Sequence, residues 1–504
     1  MTTNVLSIDI GSSSVRALLY DLHGRQVPGV AARQSWEMRV HPDGTVEWEA
    51  GELLEHVYSC VDTALSQAAE RAAPVAAVAV STFVSNVLAV DPQGRALSPI
   101  FPYSDTRPAR EAGELRQRLD EEAVHQRTGC RFHASYLPAR VLWVRRTRPE
   151  LLSPGVRWMT IGEYLALQLF GRAAVSFSAA SWSGLLDRQQ LAWDEELLAA
   201  LSLDREALSP LVDIDNPFQG LMPSFSKRWP PLQAVPWFPA LGDGAAANVG
   251  SGCLDASRAC LTIGTSSAIR VTLPEPVAHV PPGLWCYRID RNRSLMGGAL
   301  NEGGNIHAWL SQTLQLEAGE GVEAALAGRP PDGHGLTFLP LLVGERSPGW
   351  DAERRGTLHG LSLATTPLDI LQAGLEGVAY RLALVYRQLL PALPAEPEIV
   401  AAGGALLGSP AWLQIVADVL GKTILAGAVE QASARGAARL ALEALGRDEE
   451  WEEDALAGQA GDRAFEPDPG RHAVYARAVE RQQVLYEKLT LPERGEQDRL
   501  SHLE

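Results

Sequence analysis

Apolar positions in the first twenty residues fall into two dense runs, Val5 to Ile10 and Val15 to Tyr20, separated by Gly11-Ser12-Ser13-Ser14. Runs of this length, bounded by Gly and hydroxyl residues, predict two strands joined by a tight loop, and Leu22-His23-Gly24-Arg25 predicts a turn back into the sheet. From Asp43 to Ala73 the pattern changes to that of a helix, with Leu53, Leu54, Val57, Val61 and Leu65 on one face. Val75 to Ser81 is again a continuous apolar run of the buried-strand kind, and Val87 to Asp91 ends at the turn Pro92-Gln93-Gly94. Strand hairpin, helix and strand in this order are the signature of an α/β layer.

The segment from about 106 to 236 is richer in helical patterns and reads as an insertion packed on the first sheet or beside a cleft. A second sheet is then predicted, from Cys260–Ile263, Ala268–Thr272, Trp285–Ile289 and Ser294–Met296. Thr366-Pro367-Leu368-Asp369 supplies an N-cap, a proline at the first helical position and an acid in the first turn of a long helix. Ser409-Pro410 opens another, which Gly421 closes, and Glu398–Ala402 is a short strand between the two. The chain thus divides into an N-terminal domain over 1–248, a C-terminal domain over 249–490 and a charged tail over 491–504.

A length of 504 residues suits several domains with ample buried area. The net charge of −17 disfavours nucleic acid as a partner, and no polybasic segment offers a membrane anchor. No apolar run approaches the roughly 20 residues that span a bilayer. Five cysteines without a Cys-x-x-Cys pair suggest neither a zinc site nor a disulfide framework, so a cytoplasmic protein is expected.

The Gly11 loop has a counterpart in Thr262-Ile263-Gly264-Thr265-Ser266-Ser267. In each, a strand delivers a Gly followed by hydroxyls that can donate to phosphate oxygens. Asp9 ends the first of these strands, where a carboxylate can hold Mg²⁺; Thr262 stands at the matching place in the second. Phosphoryl transfer also needs a carboxylate to deprotonate the accepting hydroxyl. Asp243, flanked by Gly242 and Gly244, suits that role, the alternative being a helix N-cap. Gly403-Gly404-Ala405 before a helix can admit an adenine face or form only a tight turn. Tyr103-Ser104-Asp105-Thr106-Arg107 and Gly344-Glu345-Arg346 offer polar groups for an oxygen-rich substrate, or surface ion pairs. Gly421-Lys422-Thr423 is not a P-loop, because it follows a helix and Val416 occupies the first glycine position.

Together these segments resemble the FGGY carbohydrate kinases of the actin-like ATPase superfamily over roughly residues 5–486. Two further stretches carry the likeness: Ser135 to Trp143, with Arg140 where Lys is usual, and Gly403 through Gln414, Ala417, Asp418 and Gly421. The resemblance implies an α/β fold of two ribonuclease H-like domains, each with a central mixed sheet, around an interdomain cleft. It implies ATP held by Gly11, Ser12, Ser13, Thr265, Ser266, Gly304, Gly404, Ala405 and Ser409, with Mg²⁺ near Asp9 and Asp243 and with Asp243 as general base. Asp105, Arg107, Ser85 and Asn86 would face a small sugar or sugar acid, and family members are often dimers or tetramers. Leu339 to Trp350, Gly297 to Gly304 and Leu208 to Val212 are most similar to gluconate kinases, and xylulokinases share parts of them. Ser85 and Tyr103 stand where relatives commonly carry His and Trp. D-gluconate is therefore the expected acceptor, with a ketose or polyol as alternative and an ATP-binding switch without catalysis as a reading of another class.

Overall fold

The computed structural model describes residues 4–36, 39–41, 43–316, 320–427, 431–451 and 463–490. The tail expected at 491–504 lies outside them. The chain opens with strands β1 (Asn4–Ile10), β2 (Ser14–Tyr20) and β3 (Gln26–Ser35), followed by helix α1 (Ala50–Glu70) and strand β4 (Val75–Thr82). After the insertion come β5 (Leu241–Gly242) and α2 (Asp243–Gly250). The first sheet has the order β5-β4-β1-β2-β3. Both hairpin contacts are antiparallel, whereas β1, β4 and β5 run parallel.

The second half repeats this plan. Strands β6 (Arg258–Ile263), β7 (Ser267–Pro274), β8 (Trp285–Arg288) and β9 (Arg293–Leu300) precede α3 (Pro367–Leu389), β10 (Glu398–Ala402), α4 (Pro410–Leu420), β11 (Ile424–Ala426), α5 (Ala432–Ala444) and β12 (Arg463–Phe465). Their sheet order is β8-β9-β7-β6-β10-β11-β12. Its inner five strands reproduce the first sheet in order and in sense, with β8 and β12 added at the edges. The duplicated mixed sheet is the fold expected from the paired loops.

Period-2 alternation sorts β1 between two layers. Leu6, Ile8 and Ile10 pack with Leu53, Leu54 and Val57 of α1. Val5 joins Ala434, Ala437 and Ala438 of α5 on the other face, where the Ser7 hydroxyl donates to the Ala434 carbonyl at 2.7 Å. Asp9 has the parity of Val5 and Ser7, so it points to the side where the two domains meet.

The helix expected from Asp43 starts only at Ala50. Gly44 turns the chain at φ +85°, and Trp48 then exchanges two backbone hydrogen bonds with Ile100, which holds 46–48 extended. Thr366 forms a capping box with Asp369 at the start of α3, and Gly421 ends α4 at φ +64° as a left-handed cap. The insertion contributes helices such as Ala109–Arg118, Glu121–Thr128, Leu137–Thr147 and Ile161–Phe170. Among the described residues no helix is long and apolar enough to cross a membrane.

The domains are joined where α2 crosses α5. A Cβ on Gly436 would lie 1.8 Å from the Ala246 carbonyl oxygen, and one on Gly250 would lie 1.9 Å from that of Ala432. The helices therefore touch backbone to backbone, and Arg435 of α5 donates to the Gly250 carbonyl at 2.8 Å. Gly436→Ala is expected to destabilise the protein by about 1–3 kcal/mol through overpacking. Urea unfolding at an unchanged midpoint would refute this account of the crossing.

Candidate active site

The carboxylates come together because three parallel strands end side by side, the usual location of ligand sites in such sheets. Asp9 is paired in register with Ser81, which also pairs with Leu241, and Gly242 pairs with Thr82. Asp9 is 3 % exposed. Its Oδ1 accepts from the Ser81 hydroxyl at 2.7 Å and its Oδ2 lies 3.4 Å from Arg16. Burial raises its pKa, against the opposing pull of Ser81 and Arg16.

Asp243 is the first residue of α2, with Gly242 as the N-cap, so the capping alternative does not describe it. Its Oδ1 accepts from the Gly244 N–H at 2.7 Å. The side chain is half-buried and opens on the cleft. Burial, and then the negative charge of Asp9, push its pKa up to about 7, while Arg270 pulls the other way. The flanking glycines allow close packing here: a Cβ would meet the Trp182 indole nitrogen at 2.7 Å from Gly242, and Arg270 Nη1 at 2.9 Å from Gly244.

Two carboxylates that oppose each other's ionisation fit a divalent cation, which would relieve that repulsion. Mg²⁺ needs only one or two protein carboxylates when phosphates and water complete its shell. Among the described residues, the one three-residue cluster of His and acids lies elsewhere, at Asp332, His334 and Glu376. There Arg481 holds Asp332, and Tyr380, Tyr475 and His334 donate to Glu376, so it is a satisfied structural network.

In the Gly11 loop the Gly11 N–H donates to the Ser14 carbonyl at 2.9 Å, with Ser12 half-buried and Ser13 exposed. In the second, the Gly264 N–H donates to the Ser266 carbonyl at 3.0 Å, and the Gly264 carbonyl accepts from Gly304 at 2.7 Å. Glycines make this stacking possible. A Cβ on Gly303 would stand 2.6 Å from the carbonyl carbon of Ser266, and Gly403, at φ +93°, approaches the Ile263 carbonyl so closely that a Cβ would be 2.5 Å away. The loop, the start of the helix Gly304–Thr313 and the Gly403-Gly404-Ala405 turn thus form one wall.

Beside that wall is a cavity of about 1030 Å³ whose lining includes Gly304, His307, Glu323, Gly404, Ala405 and Ser409. Ser409 caps α4 by accepting from the Trp412 N–H at 3.2 Å and donates to the Glu323 carboxylate. His307 and Glu323 carried no signal in the sequence.

A second cavity, of about 250 Å³, lies between the domains. Ser85, Tyr103, Trp182 and Asp243 line it from the first, and Thr262, Ser266, Arg270 and Arg346 from the second. Trp182 stacks on Tyr287 at 3.6 Å and closes one end with aromatic rings. Ser85 sits at φ +53° with its hydroxyl on the Trp182 carbonyl at 3.0 Å. Asn86 is buried in the wall, accepting from the Ile161 N–H at 2.7 Å and donating to the Phe83 carbonyl. Asp105 and Arg107 are not on the walls of this cavity. They form a bidentate pair, at 2.9 and 2.7 Å, that Glu47 extends at 2.8 Å over the Trp143 ring.

Arg270 escaped the sequence reading, although an Arg amid the apolar residues of β7 was a usable signal. It donates to the Gly244 carbonyl at 3.1 Å and to the Thr262 hydroxyl at 2.7 Å, and so ties the turn at Asp243 to the second loop.

Comparison with known proteins matches this architecture. Residues 4–250 fit the N-terminal domain, and residues 259–445 the C-terminal domain, of the FGGY family of carbohydrate kinases. A gluconokinase of Bacillus subtilis is 27% identical over 92% of this chain and 91% of its own length. A glycerol kinase of Aromatoleum aromaticum is 30% identical over 95% and 98%. The crystal structure of gluconate kinase from Lactobacillus acidophilus superposes with a TM-score of 0.87 over 97% of this chain and 98% of that one, at 24% identity, which speaks for the fold. The chain, with both halves of the duplicated sheet and both family domains, belongs to the FGGY family of carbohydrate kinases.

Proposed function

We propose that this kinase transfers the γ-phosphoryl group of ATP to a hydroxyl of a small polyhydroxylated acid, D-gluconate being the leading acceptor and 6-phosphogluconate the product. The observation that carries the reaction is Asp243, a carboxylate with its pKa near neutrality on a cleft that the second phosphate loop also lines. Its carboxylate takes the proton of the acceptor hydroxyl as that oxygen attacks phosphorus, and ADP departs. Asp9 and Asp243 are the residues that would hold Mg²⁺, which supplies charge neutralisation for the phosphates. Ser12, Ser13, Thr265 and Ser266 would donate to phosphate oxygens, while Gly304, Gly404, Ala405 and Ser409 would receive the nucleoside. Arg270, tied to both Thr262 and Gly244, is placed to accompany the transferred group.

An acid acceptor is favoured over a neutral one by the charges of the site. Arg346 in the cleft, and Arg140 behind it, have no ion-pair partner among the described residues. The gluconokinase of Bacillus subtilis is in keeping with this reading. ADP release measured across aldonates, ketoses and polyols should be highest with D-gluconate. A preference for D-xylulose or glycerol would replace the acid with a neutral acceptor, and no acceptor-dependent release across the panel would leave an ATP-binding switch.

Asp243→Asn should lower kcat by at least about a hundredfold with ADP affinity retained, as titration calorimetry would show. Because the base must be ionised, kcat/KM of the unmodified enzyme should rise with pH up to about 7 and level off above it. A profile flat from acid to alkaline pH would remove Asp243 from the role. At Gly404 a Cβ would meet nothing within 4 Å and would project into the nucleoside cavity. Gly404→Val should therefore raise the KM for ATP by about tenfold or more at little cost in thermal stability; an unaltered KM would place the nucleoside elsewhere.

A further inference from the structure

Behind Ser85 lies a cavity of about 30 Å³, and Ser85, Ser135 and Trp182 line both it and the cleft. Asp243 is not on its walls. By the usual measure of roughly 10–15 Å³ for one water, it has room for two waters or for the two oxygens of a carboxylate.

The donors on its walls are in excess. Arg140 and Trp158, each 2 % exposed, both line it, and the Arg140 Nε–H and the Trp158 Nε1–H have no acceptor. The rest of the Arg140 guanidinium is held in a cage of carbonyls, with Nη1 donating to Ser85 at 3.0 Å and to Phe101 at 2.7 Å, and Nη2 to Pro102. Dipoles fix its orientation, but no carboxylate neutralises it. The nearby acid Asp105 is already engaged bidentately by Arg107. Glu163 also lines the cavity, but its carboxylate accepts from the Thr160 N–H at 2.7 Å in the capping box of its own helix. Asn86 is satisfied at both ends. A buried cation beside two unmet N–H donors calls for an occupant with acceptor oxygens and negative charge.

Of the other two guanidiniums near the cleft, Arg270 is tied to the second phosphate loop, and Arg346 lies over the Tyr103 ring at 5.7 Å. Arg270 touches Gly244 and Thr262, and Arg346 donates at 2.7 Å to the carbonyl of Leu300, the strand partner of Ser267 in the second phosphate loop. A chain whose terminal hydroxyl lies at Asp243 must carry its carboxylate away from that point, toward the wall Asp243 does not share. We infer that the cavity behind Ser85 receives the carboxylate of the acceptor, with Arg140 as the residue that reads its charge. The inference rests on the proposed acid acceptor and adds where, and by which residue, the acid is distinguished from a neutral polyol.

The test compares D-gluconate with D-glucitol, which has a hydroxymethyl group in place of the carboxylate, in the full-length enzyme, Arg140→Gln and Ser85→His. Histidine tolerates the left-handed backbone at residue 85 and fills the mouth of the cavity. The unmodified enzyme should prefer gluconate in kcat/KM by at least about tenfold, the worth of one hydrogen bond to a charged group. Each variant should raise the KM for gluconate by about tenfold or more and bring the gluconate-to-glucitol ratio close to one, with the Kd for ADP confirming an intact fold. Should Arg140→Gln fail to bind ADP, Ser85→His decides the matter. Gluconate turnover with an unchanged KM and ratio in a folded Ser85→His enzyme overturns the inference, leaving a cavity for structural water while the acid-kinase reading stands. Turnover of neutral acceptors alone by the unmodified enzyme overturns both.

Discussion

Two helices that touch at glycines hold this molecule in its working arrangement. Because residues 250 and 436 carry no side chain, α2 and α5 approach until a carbonyl of each lies against the backbone of the other. α2 begins with Asp243, and α5 lies on the face of β1 from which Asp9 projects. A bulkier crossing would separate the two helices and open the seam behind the sheet whose adjacent strand ends carry both carboxylates.

Adjacent strand ends bring two acids into a poorly solvated corner, where the charge of Asp9 opposes the ionisation of Asp243. Isolated carboxylates would be ionised well below neutrality. Here burial and mutual repulsion bring Asp243 to about 7, the range in which a carboxylate is a useful proton acceptor at physiological pH. Arg270 moderates the effect from the second domain, so the basicity of a residue in the first half depends on a guanidinium in the second.

Much of this was legible in the chain because strands and loops leave local signals. The Gly-and-hydroxyl loops and the capped helices at Thr366 and Ser409 depend on neighbours in sequence, and the structure has them where the pattern put them. The surroundings of the site were less legible. Asp105 and Arg107 read equally as substrate ligands or as an ion pair, and the structure has them bound to each other and to Glu47. Helix α5, with the sequence Ala432-Ser433-Ala434-Arg435-Gly436, buries mostly small residues, which serve close approach rather than bulk burial. Arg270 and Arg140 acquire meaning only through partners at long sequence separation, such as Gly244, Phe101 and Pro102.

The same long-range contacts make the cleft asymmetric. Edge strand β8 is held by the insertion of the first domain: the Cys286 N–H donates to the Gly129 carbonyl at 3.0 Å, and the Arg288 N–H to the Ser181 hydroxyl at 3.0 Å. Gly129, at φ +72°, could not carry a side chain there, since a Cβ would lie 1.9 Å from the Cys286 carbonyl oxygen. With Trp182 stacked on Tyr287, this end of the cleft is tied across the domains by backbone and by rings. The cavity beside Gly404 and Ser409, by contrast, is lined by residues of the second domain alone. The larger cavity thus belongs to one domain, whereas the smaller one lies where both meet and is walled at one end by aromatic rings.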